Sequence, residues 1–207
     1  MNVWKQIPSD QILKSTAQRL TANGFNTVVV ENSEAAKQKA FELIPEGSEV
    51  MTMTSVTLAT LGLPSIFDES GKYKSVKAIL NNMDRNTQGL EMQKLGGAAE
   101  YSIGSVHAVT QDGKVLIASN SGSQLPGYLY GSPHVVWIVG AQKVVKDIAQ
   151  GEQRIYEYTL PLETERARKA YNLPEDWNSF VSKLVIYNKE PNPGRINLIL
   201  VKEDLGF

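Results

Sequence analysis

Two short polar runs carry the residue types best suited to chemistry. Ser119, Asn120, Ser121, Gly122, Ser123 and Gln124 follow one apolar run, and Thr54, Ser55 and Thr57 follow another. Hydroxyls, amides and backbone N–H groups in such a series can cradle an anion, and Gly122 lets a ligand approach the main chain closely. The competing readings are a solvated connecting loop for the first run and a helix cap for the second. The two histidines are His107 and His134. His107 lies inside a strand-like run, where a packing role competes with catalysis. His134 follows Pro133 and heads an apolar run, so its ring is expected in a crevice beside the polar loop. Either ring could donate a proton. Neither has a carboxylate partner evident from spacing, and no catalytic residue is assigned.

Composition removes several classes of function. With no cysteine among 207 residues, disulfides, thiolate nucleophiles, thiolate-held iron–sulfur clusters and cysteine-ligated zinc are excluded. Two histidines make a His-rich metal centre unexpected, and neither a metal nor a cofactor is anticipated. Lys plus Arg number 21 against 22 for Asp plus Glu, a net charge of -1, so no electrostatic footprint for nucleic acid or an anionic membrane is present. The segment from Gly122 to Gly127 has the glycine spacing of a phosphate loop, but Tyr128 stands where the lysine is required. The dinucleotide fingerprint, the G-x-S-x-G elbow and H-E-x-x-H are all missing. The first ten residues turn polar and prolyl too soon for a signal peptide, and no apolar run approaches a membrane span. A cytoplasmic protein is expected.

The elements that must position these residues read as α/β. Ile12, Leu13, Ala17 and Leu20 share a helix face after Ser9 and Asp10, with Gly24 as the stop. Phe25 to Val30 and Glu49 to Met53 are short apolar strands around a second helix capped by Asn32 or Ser33. This helix–strand alternation with short connections predicts a mainly parallel sheet flanked by helices. Residues 64–97 read as polar and helical. Ile103 to Val109 and Lys114 to Ser119 flank Gln111-Asp112-Gly113, a strong hairpin signal. Val135 to Val139 is a buried strand with Trp137 in the core, and Lys143 to Ala149 reads as a short amphipathic helix. Pro161 opens another helix, whose Glu163, Glu165, Arg166 and Arg168 form a self-paired surface. Leu184 to Tyr187 and Ile196 to Val201 are late strands around a Pro-Asn-Pro-Gly turn. With no repeat or linker, residues 1–207 read as one domain.

Several of these pieces together resemble the LUD (lactate utilization, LutC-type) domain family. They are the glycine-led strand from Gly104, the acidic-Gly hairpin, the Ser-Asn-x-Gly loop at Ser119, and the Pro133-His134 approach to an apolar strand ending at Gly140. Ser55-Val56-Thr57-Leu58 with Gly62, and the ending from Gly194 through Gly206-Phe207, add to the likeness. The resemblance implies a fold akin to the ribose-5-phosphate isomerase, glucosamine-phosphate deaminase and CoA-transferase superfamily. It also implies a place in oxidising lactate to pyruvate, beside partner proteins carrying iron–sulfur clusters. A chain without cysteine would be the accessory component. CoA transferases of related fold carry a nucleophilic glutamate where Gln111 stands, and an amide cannot form an acyl anhydride, so covalent CoA transfer is not expected. Gln111 could still orient a ligand.

The leading expectation is a domain that binds a small anion: a hydroxy acid, a phosphometabolite or an acyl-CoA-like group. The site would be built from Thr54, Ser55, Thr57, Gly104, His107, Gln111, the 119–124 loop and His134. A second reading is an assembly or regulatory subunit docking onto oxidoreductases, or onto its own copies, through apolar Leu125, Tyr128, Leu129 and Tyr130. A third is a sugar-phosphate isomerase or hydrolase, weakened by the lack of an assignable carboxylate–histidine pair.

Overall fold

Local signals start most of the helices. The Asn32 side chain accepts from the Ala35 amide at 3.0 Å and opens helix α2 (Ser33–Leu43), while α1 (Asp10–Ala22) begins at Asp10 without a side-chain cap. Ser55 caps α3 (Val56–Thr60), and Ser75 caps α4 (Val76–Asn81). In this computed structural model, which describes residues 2–207, strands β1 (Asn26–Val30), β2 (Glu49–Thr52) and β3 (Lys74–Ser75) lie among these helices. Helix α5 (Gly89–Gly97) leads into β4 (Tyr101–Gly104), β5 (Ala108–Thr110) and β6 (Val115–Ser119). Then come β7 (His134–Gly140), β8 (Val144–Val145), α6 (Ile148–Arg154), α7 (Leu160–Tyr171), β9 (Lys183–Tyr187) and β10 (Ile196–Val201).

The main sheet has the order β1-β10-β7-β4-β2-β3, and every neighbouring pair is parallel. The fold is therefore α/β, with a mainly parallel sheet flanked by helices. Side chains alternate across it: Val135, Trp137 and Val139 enter the core shared with α1 and the second sheet, while Val136 and Ile138 enter the core beneath α2 and α3. The second sheet, β8-β5-β6-β9, joins an antiparallel hairpin to β8 and β9. Its outer face packs Ala108, Leu116 and Ala118 on Ile155, which follows α6. Gly113 turns the hairpin at φ 86°, a conformation that Asp-Gly sequences favour.

Two expected elements are corrected. The run from Ile103 to Val109 is not one strand: β4 ends at Gly104 in the main sheet and β5 begins at Ala108 in the second. Ser105, Val106 and His107 cross between them, and periodicity cannot separate two strands of matching polarity. Lys143 to Ala149 is not a helix. Residues 141–143 form a 3-10 turn and Val144 and Val145 join β5, with Asp147 capping α6 only at Ile148. The unpaired edge of β5 outweighs the weak helical spacing of so short a segment.

Candidate functional site

Parallel strands in an open α/β sheet deliver their following loops to one edge. Here β2 leads to Thr54–Thr57, β4 to Ser105–His107, β7 to Gln142 and Lys143, and β10 to Asp204. Lys143 is only 2% exposed. Its ammonium nitrogen donates to Thr57 Oγ1 at 3.0 Å, Ser105 Oγ at 3.1 Å and the Val106 carbonyl at 3.3 Å. All three acceptors are neutral. Burial, then the charge of Arg154, pushes the amine down to about 7, against a weaker opposing pull from Asp204.

Arg154, at the end of α6, is fully buried. Only Nη1 is used, donating to the His107 carbonyl at 2.8 Å and Thr159 Oγ1 at 3.1 Å. The guanidinium lies 5.2 Å from the centre of the Tyr158 ring. Its Nε and Nη2 are buried without a hydrogen-bond partner. These two nitrogens form one edge of the planar guanidinium, the edge that grips a carboxylate or phosphate through two parallel bonds. Burial pushes Arg154 down to about 10, still well above neutrality. Among the described residues neither Lys143 nor Arg154 has a carboxylate at ion-pair distance, although the chain forms nine such contacts elsewhere.

His107 completes the group. Its Nδ1 accepts from the Ala118 amide at 3.1 Å, which places the ring proton on Nε2. Burial, followed by the charges of Lys143 and Arg154, pushes its pKa down to about 3. The ring is thus neutral at ordinary pH and offers a hydrogen bond where the sequence suggested an acid. Ser105 and His107 are half-buried, whereas Lys143 and Arg154 are buried. On another side, Thr57 Oγ1 donates to the Leu205 carbonyl at 3.1 Å, and Gln142 Nε2 donates to the same oxygen at 3.0 Å. Gly206 sits so close that a Cβ there would fall 2.6 Å from Thr57 Oγ1.

The residues singled out from the sequence divide into two sets. Thr57 and His107 meet at Lys143 and Arg154, with Ser55 nearby as the α3 cap. Gly104 lies beside them for a packing reason: a Cβ there would lie 1.7 Å from the Tyr128 hydroxyl. Thr54 is exposed and accepts from Lys77 Nζ at 3.2 Å. The 119–124 loop roots near His107 through Ala118, but its polar groups bond mainly among themselves and to residues 180–182. Asn120 donates to the Phe180 carbonyl, Ser121 meets Ser123, Gly122 N donates to Ser119 Oγ, and Gln124 returns to the Ala118 carbonyl. Gln111 sits in the hairpin turn, held to the end of α1 by Arg19.

His134 is elsewhere. It is exposed at the amino-terminal end of β7, stacked on Tyr101 at 4.7 Å. The seven-residue strand separates it from the loop bearing Lys143, roughly 20 Å at the usual rise. The expected crevice beside the polar loop does not form, because strand direction sends that residue to the opposite edge. The expected apolar docking surface also fails to assemble: Leu125 and Tyr128 enter the core, leaving Tyr130 exposed at the end of the run.

Sequence reasoning missed Ser105, Lys143 and Arg154 as site residues. Lys143 did carry a signal, a lone cation set directly before Val144-Val145 and after an apolar strand. Arg154 carried none, since nothing in its short helix reports which face turns inward. Among the described residues no three His, Asp or Glu side chains cluster as metal ligands. Nor is any helix there long and apolar enough to cross a membrane.

A main sheet of this topology, with cations gathered at its carboxyl edge, defines an α/β domain of the kind the resemblance implied. The family described as the LUD domain matches residues 13–201, and the chain belongs to it. Among solved structures, a DUF162-family protein from Deinococcus radiodurans shares the fold at a TM-score of 0.55 and 10% identity, covering 95% of this chain and 99% of that one. A ribose 5-phosphate isomerase from Plasmodium falciparum is 12% identical over 79% of each chain, but its TM-score of 0.37 is too low to bear on the argument. No curated protein matches the chain.

Proposed function

We propose that the protein binds a small metabolite through a carboxylate or phosphate group at the Lys143–Arg154 cluster, as an accessory component of lactate-type carbon metabolism. The observation that carries this is the unpartnered Nε–Nη2 edge of a fully buried arginine. A buried cation without its hydrogen bonds is costly, by several kcal/mol in the general case, and an anion on that edge offsets the cost. Lys143 adds a second positive charge when protonated, and Ser105, Thr57 and neutral His107 add hydroxyl and N–H groups. Membership of the LUD family supports the metabolic setting. The absence of cysteine supports a role beside a redox partner over that of a cluster carrier. Residues 1–207 are read as one LUD-type domain, in keeping with the match across 13–201.

The test is calorimetric titration of the full chain with lactate, pyruvate, inorganic phosphate and CoA. At least one of these should bind, and Arg154→Met should remove the binding while the chain stays folded. Equal binding by that variant, or none of the four binding, overturns the reading.

A further inference from the structure

A ligand recognised only by its anionic group needs one cationic fork, and Arg154 alone supplies it. The second buried cation is different in kind. Lys143 is a primary amine on a flexible stem, held by three neutral oxygens rather than a carboxylate. Such an amine is spared the counter-ion that would keep it protonated, and a lysine of this type is a nucleophile toward carbonyl carbon. Ser105 is half-buried, with its hydroxyl 3.1 Å from that nitrogen.

We infer that Lys143 forms an imine with a ligand bearing a carbonyl beside its carboxylate, a 2-oxo acid, whose carboxylate is held by the free edge of Arg154. This rests on the anion-site reading above and names the substrate class for it. The lone pair of the free amine attacks the carbonyl carbon, forming the C–N bond, and the carbonyl oxygen takes up a proton. The nitrogen gives up both of its protons in turn, the first balancing the one taken by the carbonyl oxygen and the second leaving with the hydroxyl as water, and a C=N bond remains. No oxidant or reductant is consumed. The Ser105 hydroxyl is placed to relay the proton between nitrogen and departing oxygen.

The charges facing Lys143 come from Arg154 on α6 and Asp204 after β10, with neutral His107 between the sheets. With burial pushing the amine down to about 7, a far larger share of it is free base at neutral pH than in a solvated lysine. A solvated lysine, near 10.4, has roughly a thousandfold less.

The experiment mixes the full chain with pyruvate, reduces with sodium borohydride, and locates any adduct by intact mass and peptide mapping. The expected product gains one pyruvate less one water plus two hydrogens on the Lys143 peptide. Labelling there should exceed that of any other lysine peptide by about tenfold or more, given the difference in free amine. The adduct should be missing from Lys143→Arg and from Lys143→Met, each checked for folding by its melting transition. Lactate, which has no carbonyl, is titrated in parallel to read the anion site alone. Binding of pyruvate and lactate without labelling overturns the imine and leaves the anion reading standing. No pyruvate binding and no labelling overturns the imine, and the anion reading falls with it when lactate, inorganic phosphate and CoA also fail to bind. Label spread evenly over surface lysines, or retained in a folded Lys143→Arg protein, also overturns the imine.

Discussion

Arg154 and Arg195 are both buried, at 0% and 8% exposure, yet their surroundings differ in how fully each cation is satisfied. Every nitrogen of Arg195 is occupied. Nε donates to the Ser132 carbonyl, Nη1 to Glu190 and the Tyr187 hydroxyl, and Nη2 to the carbonyls of Gly127 and Tyr128. The ion pair with Glu190, at 2.8 Å, neutralises it, and the side chain ties the 127–132 turn to the start of β10. Arg154 has one working nitrogen, two idle ones and no carboxylate. Burial alone therefore says little about role. Hydrogen-bond and charge satisfaction mark Arg195 as a cation that holds the fold, and their lack at Arg154 is what supports the ligand proposed there.

The largest effect that would sharpen this contrast is on stability. Arg195→Met should destabilise by about 3–5 kcal/mol, because Glu190 is left as an unpaired buried charge. Urea denaturation would read it, and a midpoint close to wild type would break the contrast. Arg154→Met, by comparison, should change stability by about 1 kcal/mol in either direction, since two lost hydrogen bonds are offset by removing two unsatisfied donors. Its loss of anion affinity should be far greater, about 2–5 kcal/mol in calorimetry.

Next comes pH. Lys143 has its folded pKa lowered to about 7 from 10.5, so between those values the unfolded chain binds the extra proton and folding becomes more favourable as pH rises. The stability difference between wild type and Lys143→Met should therefore shift toward wild type across that window, by at most about 1.4 kcal/mol per pH unit. Affinity for lactate should move the other way, falling as Lys143 loses its charge above about 7. Glu190 shifts stability in the same direction with pH, but in the acid range. Burial raises its pKa, but hydrogen bonds from Tyr187, Asn192 and Arg195 outweigh that and hold it below the ordinary carboxylate range. Its contribution is present above that range and is lost as pH falls through the lowered value. The smallest effect is expected from His134→Ala, within about 0.5 kcal/mol of wild type and with anion binding unchanged, because an exposed ring at the far end of β7 touches neither site. A marked loss of binding there would mean that the two sheet edges communicate.

Much of this architecture is legible in the sequence. Apolar β-branched runs, the Asn32 and Ser55 caps and the Asp112-Gly113 turn each express a local preference that the chain obeys. Thr57 and His107 could be singled out because a hydroxyl after a buried strand and a histidine in a strand-like run are unusual enough to notice. Gln111 and His134 are just as conspicuous in the sequence, yet one is tied to the end of α1 and the other faces solvent at the opposite edge.

What the sequence determined alone is the α/β class, most of the elements and their order, and the exclusion of thiol chemistry, because propensity, alternation and composition are properties of neighbours along the chain. The pairing of Lys143 with Arg154 belongs to tertiary structure only. It depends on a crossing at residues 105–107 from one sheet to the other, and on the face that α6 turns toward that crossing. Whether a buried nitrogen finds a partner is settled by atoms brought in from distant segments, here 37 to 86 residues away for Lys143, and no local pattern encodes that meeting.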